Sequence, residues 1–203
     1  MANVCCDDVY FYSDTNSSGL QTLWEDLETC IIFCPDPDKA WIGNIFEYKG
    51  ISTDGISLRG TVGYLEKNDH NILLCTDTAW APLFEAYQRI ADTYGVDFVM
   101  RGIEPGEGIY FNTDHSGQYF PERYILSIAD EELLTPAGLP IKDKLEYGET
   151  FENDTTLFQR FTELGYHADT IDKLNLLLED VEITIHPFED PYSSDDSKRR
   201  KCA

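Results

Sequence analysis

Four histidines and six cysteines are the side chains of this sequence best suited to bind metals or act in nucleophilic catalysis. Hydrolysis by an activated serine or cysteine needs a histidine and an orienting acid beside the nucleophile. His70, His115, His167 and His186 all fall in predicted turns or at element ends, and no Gly-x-Ser-x-Gly elbow is present. Asp114 and His115, with Glu107 and Asp97, supply oxygen and nitrogen donors, but four scattered residues lack the convergence a metal needs, and they read as a solvated turn. Asp36-Pro37-Asp38 has neither the sixth-position glycine nor the closing glutamate of a calcium loop. Cys5 and Cys6 are neighbours on a predicted strand and so point to opposite faces, which argues against a thiolate site shared with Cys30 and Cys34. With Cys75 and Cys202, the six show no disulfide framework, and reduced thiols in a cytoplasmic protein are expected. No metal and no cofactor is implied.

Binding chemistry is better represented than catalysis. The glycine-dense stretch Gly102–Gly108 carries Glu104 and Glu107 where a phosphate would have to approach, so nucleotide binding there is disfavoured. Tyr110, Phe111, Tyr119, Phe120 and Tyr124 cluster around the last predicted strands of the first domain, yet stacking on nucleic-acid bases requires a basic surround. This chain has 38 acids against 15 bases, a net charge of −23, with every long segment negative. Such a field repels phosphates and favours cationic partners. The expectation is therefore a basic protein partner and no direct nucleic acid, with Glu104, Glu107, Tyr110, Asp114, Tyr119 and Tyr124 as the candidate partner surface. Lys198–Lys201 sit close to Asp190, Asp195 and Asp196 and are largely neutralised locally. The longest apolar runs cover a few residues, so no membrane span is expected, and the N-terminus lacks the basic start of a secretory signal.

The elements that would position these residues follow from periodicity. Residues 3–13, with Val4-Cys5-Cys6 and Val9-Tyr10-Phe11-Tyr12, are a β-prone stretch that reads as a strand ended by Asp14-Thr15-Asn16; Ser17 is placed to cap a helix over about 17–33 on Leu20, Leu23, Trp24, Leu27 and Ile31. An insertion near 36–54 holds at most one short strand. Residues 56–65 and 71–77 form a hairpin, and Pro82 opens a helix closed by Gly95. Strands follow at 96–100 and 109–112, with 119–128 available to extend the sheet. This is the βαββαβ order, an α+β ferredoxin-like antiparallel sheet with its helices on one face, spanning 1–130. Residues 131–187 read as a helix-helix-strand extension (154–164, 170–180, 181–185) packed on the same core, and 188–203 as a disordered tail.

Gly19-Leu20, Leu23-Trp24, Thr78-Ala79-Trp80-Ala81-Pro82, Tyr94-Gly95 and Gly108-Ile109-Tyr110-Phe111 together resemble the YubB-like ferredoxin-like domain family over roughly residues 3–125. The resemblance implies an accessory protein of a mobile genetic element and transfers no catalytic residue. Trp24 and Trp80 are expected to pack between helix and sheet. Charge and resemblance point to a non-enzymatic acidic interaction protein, a mimic of nucleic-acid charge that binds a basic protein. The alternative is an enzyme with its pocket between the sheet and the C-terminal helices.

Overall fold

The computed structural model describes residues 3–34, 39–129, 133–136 and 138–193. The protein is mixed α+β, with a five-stranded antiparallel sheet, a second three-stranded sheet and five α-helices among the described residues. It divides into two compact units: one holds the described residues up to His115 and from Asp190 onward, and the other is Ser116–Glu189.

In the first unit, β1 (Val4–Tyr12) buries Cys5, Asp7, Val9 and Phe11 on one face, while Cys6, Asp8, Tyr10 and Tyr12 lie on the other. It pairs antiparallel with β3 (Asn71–Ala79) on one side and β4 (Asp97–Glu104) on the other. β2 (Gly60–Lys67) borders β3 with a bulge between Val62 and Tyr64, and β5 (Ile109–Asn112) borders β4, giving the order β2-β3-β1-β4-β5. Helices α1 (Ser17–Leu27) and α3 (Phe84–Tyr94) cover the same sheet face: Leu20, Leu23, Leu27, Ala86, Tyr87 and Ile90 share one buried cluster with Val9, Phe11, Ile72, Leu74 and Met100. Burial of each large side chain there contributes about 1.5–3 kcal/mol.

Several local expectations are corrected. Asn16, not Ser17, caps α1, accepting from the Gly19 N–H at 2.9 Å while its amide donates to the carbonyls of Tyr94 and Gly95. A Cβ on Gly19 would lie 2.2 Å from the Tyr94 carbonyl oxygen, so glycine is what lets α1 meet the end of α3. The first helix stops at Leu27 and continues as a π-helical turn over Glu28–Ile32. The insertion holds a helix, α2 (Gly43–Lys49), rather than a strand: Ile42, Ile45 and Phe46 recur at helical spacing and are buried, and Gly50 closes it in the left-handed conformation at φ 68°. Residues 35–38, including the rejected calcium loop, lie outside the described residues.

Trp24 is half-buried against the core, but Trp80 is 47% exposed. Its N–H donates to the Asn3 carbonyl at 3.0 Å, and its φ of 77° then turns the chain so that Pro82 takes the interior position. Pro82 fits because a Cβ on Gly102 would be 2.5 Å from its ring. Helix α3 starts two residues later than Pro82, at Phe84.

In the second unit, β6 (Tyr124–Ile128) runs between β7 (Thr150–Phe151) and β8 (Ile183–Pro187). Residues 119–128, expected to extend the first sheet, therefore begin the second one. Helices α4 (Asp154–Glu163) and α5 (Ile171–Leu178) are capped by Asn153 and Thr170. Leu157, Phe161, Leu174 and Leu178 are buried with Leu126, Ile128, Ile183 and Ile185 in a cluster of their own, so the platform for these helices is their own sheet. Residues 190–193, expected in a disordered tail, pack on the first unit: Tyr192 stacks on Phe84 with ring centroids 3.7 Å apart and meets Phe111 edge-on at 6.1 Å. Residues 194–203, including Lys198–Lys201 and Cys202, lie outside the described residues.

Candidate functional site

A groove of about 770 Å³ opens at the end of the first sheet where β1 and β2 begin and β3 ends, with α2 along its side. That volume suits a small molecule or a short stretch of chain. Trp41 stands over it, 44% exposed. Its backbone bridges to Thr61, Ile42 N–H donates to the Gly60 carbonyl at 3.0 Å, and the indole lies across Gly43, where a Cβ would come within 2.4 Å of the ring. The Asn44 amide donates to the carbonyls of Cys30 at 3.1 Å and Lys39 at 2.7 Å, fixing the loop that carries Trp41. Lys39 and Arg59 face the groove together with Glu47 and Asp77. Charges of both signs beside an aromatic wall can orient a polar ligand, but the wall brings no serine, cysteine or histidine together with a base.

The most perturbed carboxyl lies in the fold's interior instead. Asp7 is 1% exposed, and one carboxylate oxygen accepts from Leu83 N–H and from the Tyr87 hydroxyl, each at 2.9 Å, while the other accepts from Cys5 Sγ at 3.3 Å. It thus serves the N-terminus of α3 from the sheet face that this helix covers. Burial pushes its pKa up to about 6 against the lowering effect of those hydrogen bonds. The same burial, with the neighbouring carboxylate, drives the Tyr87 hydroxyl pKa well above its ordinary value.

Two histidines gain partners that spacing does not reveal. His115 meets Asp190 at 2.8 Å, and His186 Nε2 lies 2.9 Å from the Ser127 hydroxyl, brought there by the β6–β8 register. Burial lowers the His186 pKa and favours the neutral ring. Among the described residues, no group of three or more histidine, cysteine or acidic side chains is arranged to hold a metal ion. Cys5 is buried and Cys6 exposed, on opposite faces of β1.

The six residues proposed from sequence as a partner surface do not share one. Glu104, Tyr110 and Asp114 are buried. The Glu104 carboxylate accepts the N–H groups of Gly106 and Glu107, tying the β4–β5 turn. Glu107 is exposed on that turn; Tyr119 and Tyr124 are half-buried in the second unit, where the Tyr124 hydroxyl donates to Asp154 at 2.6 Å. The alternation of β4, which buries Met100, Gly102 and Glu104 in turn, is the signal that places Glu104 inside.

Charge is distributed unevenly in use. Lys49 pairs with Asp26, Arg101 with Asp8, Arg160 with Glu149 and Lys173 with Asp169, and Arg89 donates to the carbonyls of Ser52 and Asp54. With 38 acids against 15 bases, carboxylates remain in large excess. Comparison with models of known families, with curated proteins and with solved structures returns no match. No helix among the described residues is long and apolar enough to cross a membrane.

Proposed function

We propose that this protein is a non-enzymatic acidic interaction protein of a mobile genetic element, whose first unit is ferredoxin-like and whose carboxylates stand in for nucleic-acid phosphates on a basic protein partner. The observation that carries this reading is the charge imbalance: −23 overall, with several of the few cations already held by internal partners. A field of that sign accelerates encounter with a cationic surface and opposes encounter with phosphates. The order β2-β3-β1-β4 with α1 and α3 on one face supports the ferredoxin-like assignment. The family resemblance supports the mobile-element setting, and its residues Gly19, Tyr94 and Gly95 meet around Asn16 as packing positions.

The test is capture of basic nucleic-acid-binding proteins on the immobilised full chain at physiological salt, with elution by duplex DNA. A partner retained in preference to a charge-matched acidic control protein, and released by DNA, is the expected result. Recovery of the same proteins on the control would reduce the charge to a solubility device and overturn the proposal.

A further inference from the structure

Helix α5 carries an apolar surface that the fold does not use. Its inner face buries Leu174 and Leu178, yet Leu176 is 71% exposed and Leu177 47% exposed. Side chains four apart on a helix are neighbours about 5–6 Å apart between Cβ atoms. Asp172 lies one turn before Leu176, and Asp180, in the helical turn Glu179–Val181, about one turn after it. Both acids are exposed, and neither has an ion-pair partner among the described residues. The one cation of the helix, Lys173, is held by Asp169 at 2.6 Å. The result is a stripe of carboxylate, leucine and carboxylate, with a second leucine beside it.

We propose that the outer face of α5 is the docking surface for a cationic amphipathic helix of the partner, seating an apolar residue on Leu176 and Leu177 between flanking lysines or arginines that reach Asp172 and Asp180. The assignment rests on the proposed function and locates it. Charge complementarity selects this occupant: a second copy of a chain carrying −23 would bring carboxylates onto carboxylates, whereas a helix with basic residues one turn either side of a leucine matches the stripe in both spacing and sign. The apolar contact supplies affinity that survives salt; the acids supply orientation and on-rate.

The experiment titrates the full chain with a designed helical peptide carrying leucine at one position and lysine four residues either side, followed by calorimetry near physiological salt. Leu176→Ser with Leu177→Ser should weaken binding about tenfold or more, and Asp172→Asn with Asp180→Asn should weaken it more at low salt than at high salt. All four side chains are exposed, so the wild-type circular dichroism is expected for both double variants. Retained binding by the leucine variant, with the wild type binding equally, places the contact elsewhere and overturns the assignment while leaving the acidic-interaction reading intact. No binding of the peptide or of oligolysine by the wild type overturns both. Concentration-dependent dimerisation that the leucine variant abolishes would make the occupant a second copy and also overturn it.

Discussion

Replacing Asp7 by asparagine removes a charge without removing the shape that receives it. Asparagine keeps one oxygen to accept from Leu83 N–H and the Tyr87 hydroxyl, and places its amide toward Cys5 Sγ. The wild-type carboxyl titrates at about 6 in the fold against 3.8 in a solvated chain. At about 1.4 kcal/mol per unit, that difference corresponds to about 3 kcal/mol. The sign follows from the direction: the folded state holds its proton more tightly, so this group's stabilising contribution is complete below pH 3.8 and is lost as pH rises through 6. Asp7→Asn is therefore expected to be more stable than the wild type at pH 7.5 by up to about 3 kcal/mol, with the gap closing toward pH 4. Urea unfolding at half-unit pH steps between 4 and 8, scored as the difference between the two proteins, isolates Asp7 from the other carboxylates. The opposing effect is real, since hydrogen bonds to an ionised group are worth about 1.5–3 kcal/mol each and a helix N-terminus adds about 0.3–2 kcal/mol. A variant less stable than the wild type at pH 7.5, with a gap that ignores pH, would show that those contacts outweigh desolvation and would refute the reasoning.

Gly19→Ala places a methyl 2.2 Å from the Tyr94 carbonyl oxygen and should cost about 1–3 kcal/mol in urea unfolding, whereas Gly63→Ala, with nothing within 4 Å, should be nearly neutral. Leu157→Ala should destabilise the second unit by about 2–5 kcal/mol. Because Trp24, Trp41 and Trp80 all lie in the first unit, circular dichroism should register that loss while tryptophan fluorescence keeps the wild-type transition. Raising salt from about 20 mM to about 300 mM should raise the melting temperature by screening self-repulsion in a molecule of net charge −23. Duplex DNA should show no mobility shift near physiological salt, since carboxylates release no counterions from phosphates.

The parts of the fold legible in the sequence are those fixed by local pattern. β1 is marked by its β-prone residues Val4-Cys5-Cys6 and Val9–Tyr12, α1 and α3 carry single apolar stripes, and Gly95 stops α3 in the left-handed conformation its position suggests. α2 escapes because its buried Ile42, Ile45 and Phe46 make only two turns beside a proline- and charge-rich stretch. Trp80 misleads because size and hydropathy predict burial, while its positive φ decides the direction of the side chain. The groove is invisible in the sequence because residues around 3, 41, 59 and 77 meet only through strand pairing, and the Ser127–His186 contact depends on the β6–β8 register in the same way.

The described cations also explain why so acidic a chain can fold. Asp26 accepts from Lys49 at 2.7 Å and from the Tyr94 hydroxyl at 2.8 Å, so one carboxylate joins α1, α2 and α3. Arg101 on β4 meets Asp8 on β1 at 2.7 Å, and Arg160 on α4 meets Glu149 just before β7 at 3.2 Å. The first two pairs link elements distant in sequence, the third joins neighbouring ones, and all are partly shielded from solvent, which lifts them above the near-zero worth of fully exposed pairs. The bases thus act as fasteners at element junctions, where they neutralise acids the fold must bring together. Many other carboxylates, Asp172 and Asp180 among them, are exposed, and mutual repulsion among such charges lowers stability. On the proposed function, the acids that fasten nothing within the fold are the ones a cationic partner would meet, and the proposal therefore rests on them rather than on the groove.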